Sequence, residues 1–395
     1  MQQSLMLEFL LYLQVGVVLG LIILLIISLS NVKYLRRLHL YPQPTNFPRF
    51  SVLVPARNEE ENIGDCVSTL LSQDYPDFQV IVLDDNSTDS TWEILQKLAG
   101  QDTRLKLLRG KPLPPDWLGK HWACHQLAQT ADGELLLFVD ADTTYQPDML
   151  RHAAGAITAE KAALICVLPR QKVVTWSELL GVPGIYFAIL SGIPLGLSRH
   201  QRNPLFLAVI GQCLLFRREV YTAVGGYAAV RQNVVDDIAI TRRVIGMRFA
   251  YSLLDGNGQV SCRMYRSFRQ TWMGLTKSTF ASFNSDPFTL IFMQMVVLLL
   301  FVEPLIAFIM GLLQPFPFDI MAMSGVGISL ALLLFGISYH RFRFPLYLVF
   351  LYPANAIFMV VIAIASMVLT MQGKAKWKDR SMPKWQSHNY MDREL

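Results

Sequence analysis

The 395-residue chain has 35 Lys and Arg against 30 Asp and Glu, a net charge of +5, with 52% apolar and only 16% charged residues. That balance argues against a purely soluble protein, and the modest positive charge, gathered beside apolar runs, suits anionic lipid headgroups rather than nucleic acid. Five scattered cysteines (Cys66, Cys124, Cys166, Cys213, Cys262) have no metal-ligand spacing and are expected as free buried thiols.

The first apolar run, Phe9–Leu29, is interrupted only by Gln14 and Ser28 and is long enough to cross a hydrocarbon layer of roughly 30 Å. No Lys or Arg precedes it and no small-residue cleavage site follows, so residues 1–32 read as a retained anchor rather than a signal peptide. Glu8 lies before it and Lys33, Arg36 and Arg37 after it, which puts the following domain in the cytoplasm by the positive-inside rule.

From about Arg49 the texture becomes globular. Phe50–Ala56, Phe78–Asp84, Leu105–Leu108 and Leu135–Val139 predict strands, alternating with helices over Glu60–Leu71, Ser90–Leu98 and His121–Gln129. Such alternation indicates an α/β domain with a mainly parallel sheet, here 48–275. Leu135–Val139 is continuously apolar, as a central strand covered on both faces must be. Open sheets of this class bind ligands beyond the carboxyl ends of their strands. That rule singles out the loops Pro55–Glu59, Asp84–Asp89 and Asp140–Asp142.

Taken alone, the second loop is equally a polar turn in which Thr88 or Asp89 caps the next helix, and the third a solvated acidic turn. Taken together they suggest more. Asp140 and Asp142 one residue apart after a buried strand can chelate a hard cation, Mg²⁺ or Mn²⁺, with a substrate diphosphate as co-ligand. Neither Gly-x-x-x-x-Gly-Lys-Ser/Thr nor Gly-x-Gly-x-x-Gly occurs, so a P-loop nucleotidase and a dinucleotide oxidoreductase are unsupported.

Trp176–Leu197, carrying Pro183 and Pro194, is too apolar for an ordinary loop and is expected to be an interfacial insert forming the lip through which an amphiphile reaches the site. On residue type alone, Asp236-Asp237 is also readable as an acidic pair at the N-terminus of a helix over Ile238–Ile245.

The C-terminal region, 286–372, contains apolar runs at about Phe288–Leu313, Ile320–Ser338 and Leu346–Met371. With the N-terminal anchor this makes four crossings, which would strand Lys374, Lys376, Lys378, Arg380 and Lys384 of the basic tail, 373–395, on the wrong side for their charge. Pro304 and Pro353 interrupt two of the runs, so one run is expected to be re-entrant or interfacial. Glu303 is expensive in lipid; it either lines an acceptor path or meets a local donor.

The ordered motifs resemble the membrane-bound members of glycosyltransferase family 2. Phe50-Ser-Val-Leu-Val-Pro-Ala-Arg-Asn-Glu59 looks like that family's opening strand and loop, Asp84-Asp-Asn-Ser-Thr-Asp89 like its nucleoside loop, and Asp140-Ala-Asp142 like its metal motif. Gly211-Gln-Cys-Leu-Leu-Phe-Arg-Arg-Glu219, Val224-Gly-Gly-Tyr227 and Val235-Asp-Asp237 resemble its acceptor-side region. The resemblance implies a GT-A nucleotide-sugar-binding fold with transmembrane helices at both ends.

It further implies that Glu59 and Asp85, with Pro55, Arg57 and Asp84 beside them, meet the donor's nucleoside. Lys120 would approach the diphosphate, and Asp140 and Asp142 would share the metal. Asp237 would be the base, with Asp236 replacing the family's usual Glu. Gly211, Gln212, Gly226 and Tyr227 would form the acceptor side. The family's Gln-x-x-Arg-Trp is missing; the nearest match is Arg266-Ser-Phe-Arg269-Gln-Thr-Trp272, which brings Arg269 and Trp272 forward as donor-side candidates and points to transfer of one sugar rather than a polymer.

Pro115-Asp-Trp-Leu-Gly-Lys-His-Trp122, Met264-Tyr-Arg-Ser267 and Gly373-Lys-Ala-Lys-Trp-Lys-Asp-Arg380 look closest to the branch of hopanoid-associated and carotenoid glycosyltransferases, with ceramide glucosyltransferase more distant. The expectation is an inverting transferase moving one sugar, of UDP-hexose type, to the hydroxyl of such a lipid in the bilayer. A glycerolipid, sphingolipid or polyprenyl phosphate is the alternative acceptor, and a nucleotidyltransferase or an inactive membrane scaffold the remote ones.

Overall fold

The computed structural model describes residues 2–197, 206–313, 317–377 and 380–381. Lys378 and Lys384, which entered the topology reading, lie outside them.

The central sheet has seven strands: β1 (Phe50–Ala56), β2 (Phe78–Asp84), β3 (Leu105–Arg109), β4 (Leu135–Val139), β6 (Leu164–Leu168), β8 (Cys213–Arg217) and β9 (Tyr251–Asp255). Their order is β3-β2-β1-β4-β8-β6-β9. Only β8 runs against its neighbours; every other pairing is parallel. A small second sheet joins β5 (Thr143–Tyr145), β7 (Arg170–Gln171) and β10 (Val260–Cys262). β1, β2 and β4 are buried almost throughout because helices cover both faces: α2 (Ile63–Leu71), α3 (Thr91–Ala99), α4 (Gly119–Thr130) and α5 (Met149–Ala159). The three strand ends named from sequence therefore share one edge.

α6 (Trp176–Phe187) corrects the expectation of an open lip. Val182 and Tyr186 are core residues, and Phe187 stacks on Phe335 at 4.0 Å between ring centres. Most of the insert is a buried wedge between the sheet domain and the apolar helices, and its exposed large apolar side chains are Trp176 at its start and Leu197 at its end. Two short helices follow β8, α7 (Arg218–Ala223) and then α8 (Asp236–Gly246).

The long apolar elements are α1 (Gln2–Tyr34), α10 (Pro287–Phe301), α11 (Glu303–Leu313), α12 (Phe318–Phe342) and α13 (Tyr352–Met371), with α9 (Phe268–Ser282) leading into them. Among the described residues three stretches are long and apolar enough to cross a membrane: Leu5–Tyr34, Phe318–Phe342 and Leu346–Met371. The predicted run Phe288–Leu313 is broken into α10 and α11, because Pro304 has no N–H to continue the helical ladder. At that break Gln14 of α1 donates to Glu303 at 2.6 Å, so the carboxylate meets a donor from the neighbouring helix.

α1 and α12 run side by side in the same direction. Gly327 of α12 lies near Leu21 of α1, and at their domain ends Arg341 donates to Leu35 O at 2.6 Å. Arg341 also pairs with the buried Asp255 at the end of β9, which Arg37 approaches at 3.8 Å. Asn31 donates to Leu190 O and Ile193 O at 2.8 and 2.6 Å. These polar contacts fasten the sheet domain to the helices. All five cysteines are free and buried.

Candidate active site

The first two loops lock onto each other. Asn58 and Asn86 adopt positive φ, 51° and 55°, a conformation Asn tolerates better than most residues. Asn58 N donates to Ser87 Oγ and Thr88 N to Asn58 Oδ1, both at 2.9 Å. Arg57 donates to Asp85 O at 2.6 Å. Asp89 accepts from Thr91 N at 3.1 Å in a local turn just before α3, whose N-cap position is Ser90 and not the expected Thr88 or Asp89. The result is a rigid rim presenting Pro55, Arg57, Glu59 and Asp85 to a cavity of about 230 Å³.

Asp140, Asp142, Lys120, Trp117, His121, Asp236 and Lys277 also line that cavity. Lys120, at the start of α4, contacts Asp140 at 2.7 Å and Asp236 at 3.8 Å. Burial works against its charge, but the two carboxylates outweigh it and raise the ammonium well above its usual range. Burial, with Asp140 and Glu59 nearby, pushes Asp142 up to about 7.

Asp236 and Asp237 divide at the start of α8. Burial raises Asp236, but Lys120 and His121 overcome it and hold the group below the usual carboxylate range. Burial and then the Asp236 charge push Asp237 up to about 7. Asp237 lies behind the cavity against Gly211, where a Cβ would fall 3.2 Å from its Oδ2; the missing side chain allows that approach.

Asp84 is not part of the cavity wall. Its buried carboxylate pairs with Arg109 at 2.7 Å and braces β2 against β3. Gln212 works from behind: its carbonyl accepts from Asp140 N at 3.2 Å and its side chain is held by Gln171 at 2.8 Å. Gly226, at φ 51°, turns Tyr227 into the core, where it packs edge-on against His121 and Phe138. Arg269 is exposed outside the cavity, Trp272 packs on Phe268, and Arg266 pairs with Glu61 at 3.1 Å.

Lys277 of α9 lines the cavity, which Arg266, Arg269 and Trp272 do not. It was not legible from sequence, since nothing in Gln270–Ser282 marks one lysine as cavity-facing. Trp117 had a faint signal, three residues before Lys120 in a stretch already singled out.

Among the described residues no group of three or more His, Cys, Asp or Glu is spaced to hold a metal. Asp140 and Asp142 supply two hard carboxylates, and Asp142 Oδ1 is buried without a hydrogen-bond partner. That donor set fits Mg²⁺ or Mn²⁺ completed by substrate phosphate and water.

Residues 51–225 match the family model described as glycosyl transferase family 2. The chain carries a family 2 glycosyltransferase domain. Around this domain it is 29% identical over 232 residues to a beta-monoglucosyldiacylglycerol synthase of Nostoc sp., covering 58% of this chain and 48% of that protein. It is 26% identical over 242 residues to a 4,4'-diaponeurosporenoate glycosyltransferase of Staphylococcus aureus, covering 59% of this chain and 61% of that one. The chain thus matches about half to three-fifths of the length of these curated relatives. Among solved structures, a mannosyltransferase from Pyrobaculum calidifontis, described in complex with GDP-Man and Mn²⁺, aligns over 91% of this chain and 98% of its own with a TM-score of 0.53 and 18% identity. The family 2 domain is therefore a GT-A-like α/β fold.

Proposed function

We propose that the chain transfers one sugar from a nucleotide-diphosphate sugar to the hydroxyl of a membrane lipid, inverting the anomeric centre. The observation that carries this reading is one cavity at the strand ends that joins Asp85, Asp142, Lys120 and Asp236, with Asp237 beside it and Lys277 reaching in from a helix of the apolar layer.

Glu59 and Asp85 hold the nucleoside, and Lys120 and Lys277 face the diphosphate. Five lining carboxylates meet three lining cations, Arg57, Lys120 and Lys277, so an incoming diphosphate needs further positive charge. A divalent ion held by Asp140 and Asp142 would supply it and offset the charge growing on the departing oxygen. Asp237 takes the acceptor hydroxyl's proton; its proton affinity, shifted up to about 7, suits a base that must both accept and release at neutral pH. Asp236, held ionised by Lys120, stays on the donor side.

Apolar helices packed directly on the domain favour a bilayer acceptor, and both curated relatives are named for lipid substrates. A carotenoid or hopanoid hydroxyl is the first reading; the Nostoc relative favours a glycerolipid as the second. The positive-inside argument puts the domain on the cytoplasmic side. Incubating purified protein with several nucleotide-sugars, divalent ions and a total lipid extract should add one hexose mass to one lipid class. Metal-dependent release of nucleoside diphosphate without any glycosylated lipid would count against the acceptor, and no release with any donor would end the transferase reading.

A further inference from the structure

α13 has 20 residues, about 30 Å as a helix, and is apolar along its whole length, so composition alone makes it a membrane crossing. Its neighbours contradict that. α1 and α12 reach the sheet domain at their C-terminal ends, while α10 and α11 run the opposite way, Leu300 meeting Gly20 and Glu303 meeting Gln14. Leu290, in the first turn of α10, therefore marks the level of the bundle's domain end, and the start of α1 marks its far end.

α13 begins beside Phe335, two turns short of the domain end of α12, with Tyr352 at 5.6 Å. Eleven residues later, about 16 Å along the helix, Ala363 packs on Leu290 and Phe280, back at the domain level. Ser366 donates to Thr276 O at 2.5 Å and accepts from Phe280 N at 2.9 Å. Asn355 donates to Leu180 O, so beyond its start beside α12 the partners of α13 are α6, α9 and α10 around Leu290. None of these contacts lies near the far end. α13 follows α9, which is turned 113° from α10 and so lies across the bundle axis.

We infer that α13 lies within the leaflet adjoining the catalytic domain, with both ends on the domain side, and that its partner is the acyl chains of that leaflet. Ile357, Val361, Ile364, Val368 and Met371 recur at helical spacing and are all exposed, an apolar face with no protein against it. The opposite face floors α9, the helix that delivers Lys277 to the cavity. The chain then crosses three times, through α1, the broken α10–α11 pair and α12. The basic residues after α13 return to the side of the domain, which removes the charge conflict that a fourth crossing creates. The inference rests on the chain being membrane-embedded, not on its moving a sugar, and neither readout below needs activity.

The test uses the full chain in sealed membrane vesicles, with one epitope at the C-terminus and a second in the exposed turn at Gly100. Externally added protease should remove both epitopes or neither, to within about twofold, in vesicles of either orientation. Opposite protection of the two would overturn the inference. Spin labels placed singly at Ile357, Val361, Ile364 and Val368 give an independent reading. All four should report a similar shallow depth, whereas a profile passing through the bilayer centre and out the far side would overturn it.

Discussion

The two halves of the cavity are built differently. On the β1–β2–β4 side the wall residues sit at a strand's end or in the short loop directly after it, so chain order and position coincide: Pro55 at the end of β1, Arg57 and Glu59 after it, Asp85 after β2, Asp140 and Asp142 after β4. On the other side, Lys277 comes from a helix placed by packing. Gly274 lies where a Cβ would fall 2.2 Å from the Tyr265 ring, and Thr271 and Leu275 press on α6. A site made of strand-end loops is local and rigid; one completed by a packed helix depends on whatever holds that helix. Donor binding should therefore survive changes that transfer does not.

The largest separation is expected at the base. Asp237→Asn should leave donor affinity within about threefold and reduce transfer by about 10³-fold, the range for loss of a positioned base. Parallel donor titration and lipid-product assays check it; an equal loss in both would erase the distinction between the halves. Lys277→Met should lower kcat by about 10²-fold, as for loss of one preorganised donor to a developing charge, with Lys277→Arg recovering part of it. A pure KM effect would make Lys277 a binding residue only.

The paired aspartates of the second loop sharpen the contrast further. Asp85→Asn should raise donor KM about tenfold with little change in Tm. Asp84→Asn should instead cost stability, about 1–2 kcal/mol, because it replaces the charged hydrogen bond to the half-exposed Arg109 with a neutral one, and affect KM mainly through loosening of β2. The effects are separable by thermal melts and initial rates.

A smaller effect concerns pH. Asp237 binds its proton more tightly folded than unfolded, so its contribution to stability is present at low pH and is lost between about pH 4 and 7. Replacing it with Asn removes that loss, so the variant should melt a few degrees above the parent at pH 7.5 and level with it near pH 4. Transfer by the parent chain should fall about tenfold per unit as pH drops below about 7.

How much could be read from residues follows the same division. β1, β2 and β4 have the boundaries the pattern predicts, because continuous apolar runs ending in polar turns are a local signal. The Asp-x-Asp pair was legible for the same reason, whereas Lys120, at the start of α4, came forward only through the family resemblance. Asp84 was not: nothing in Asp84-Asp85 says which carboxylate turns inward to Arg109, since that depends on the β2–β3 register. The buried course of α6 was also hidden, and the residues left open which of the two proline-interrupted runs, at Pro304 or at Pro353, fails to cross. Apolar composition measures affinity for a nonpolar environment, and protein core and lipid satisfy it equally.

The most direct test of the central claim is a paired measurement on Asp237→Asn and Asp142→Asn in the same lipid system. The account predicts that the first variant binds nucleotide-sugar with near-parent affinity and makes no glycosylated lipid, while the second loses metal-dependent donor binding. Normal product formation by Asp237→Asn, or unchanged metal-dependent binding by Asp142→Asn, would contradict it.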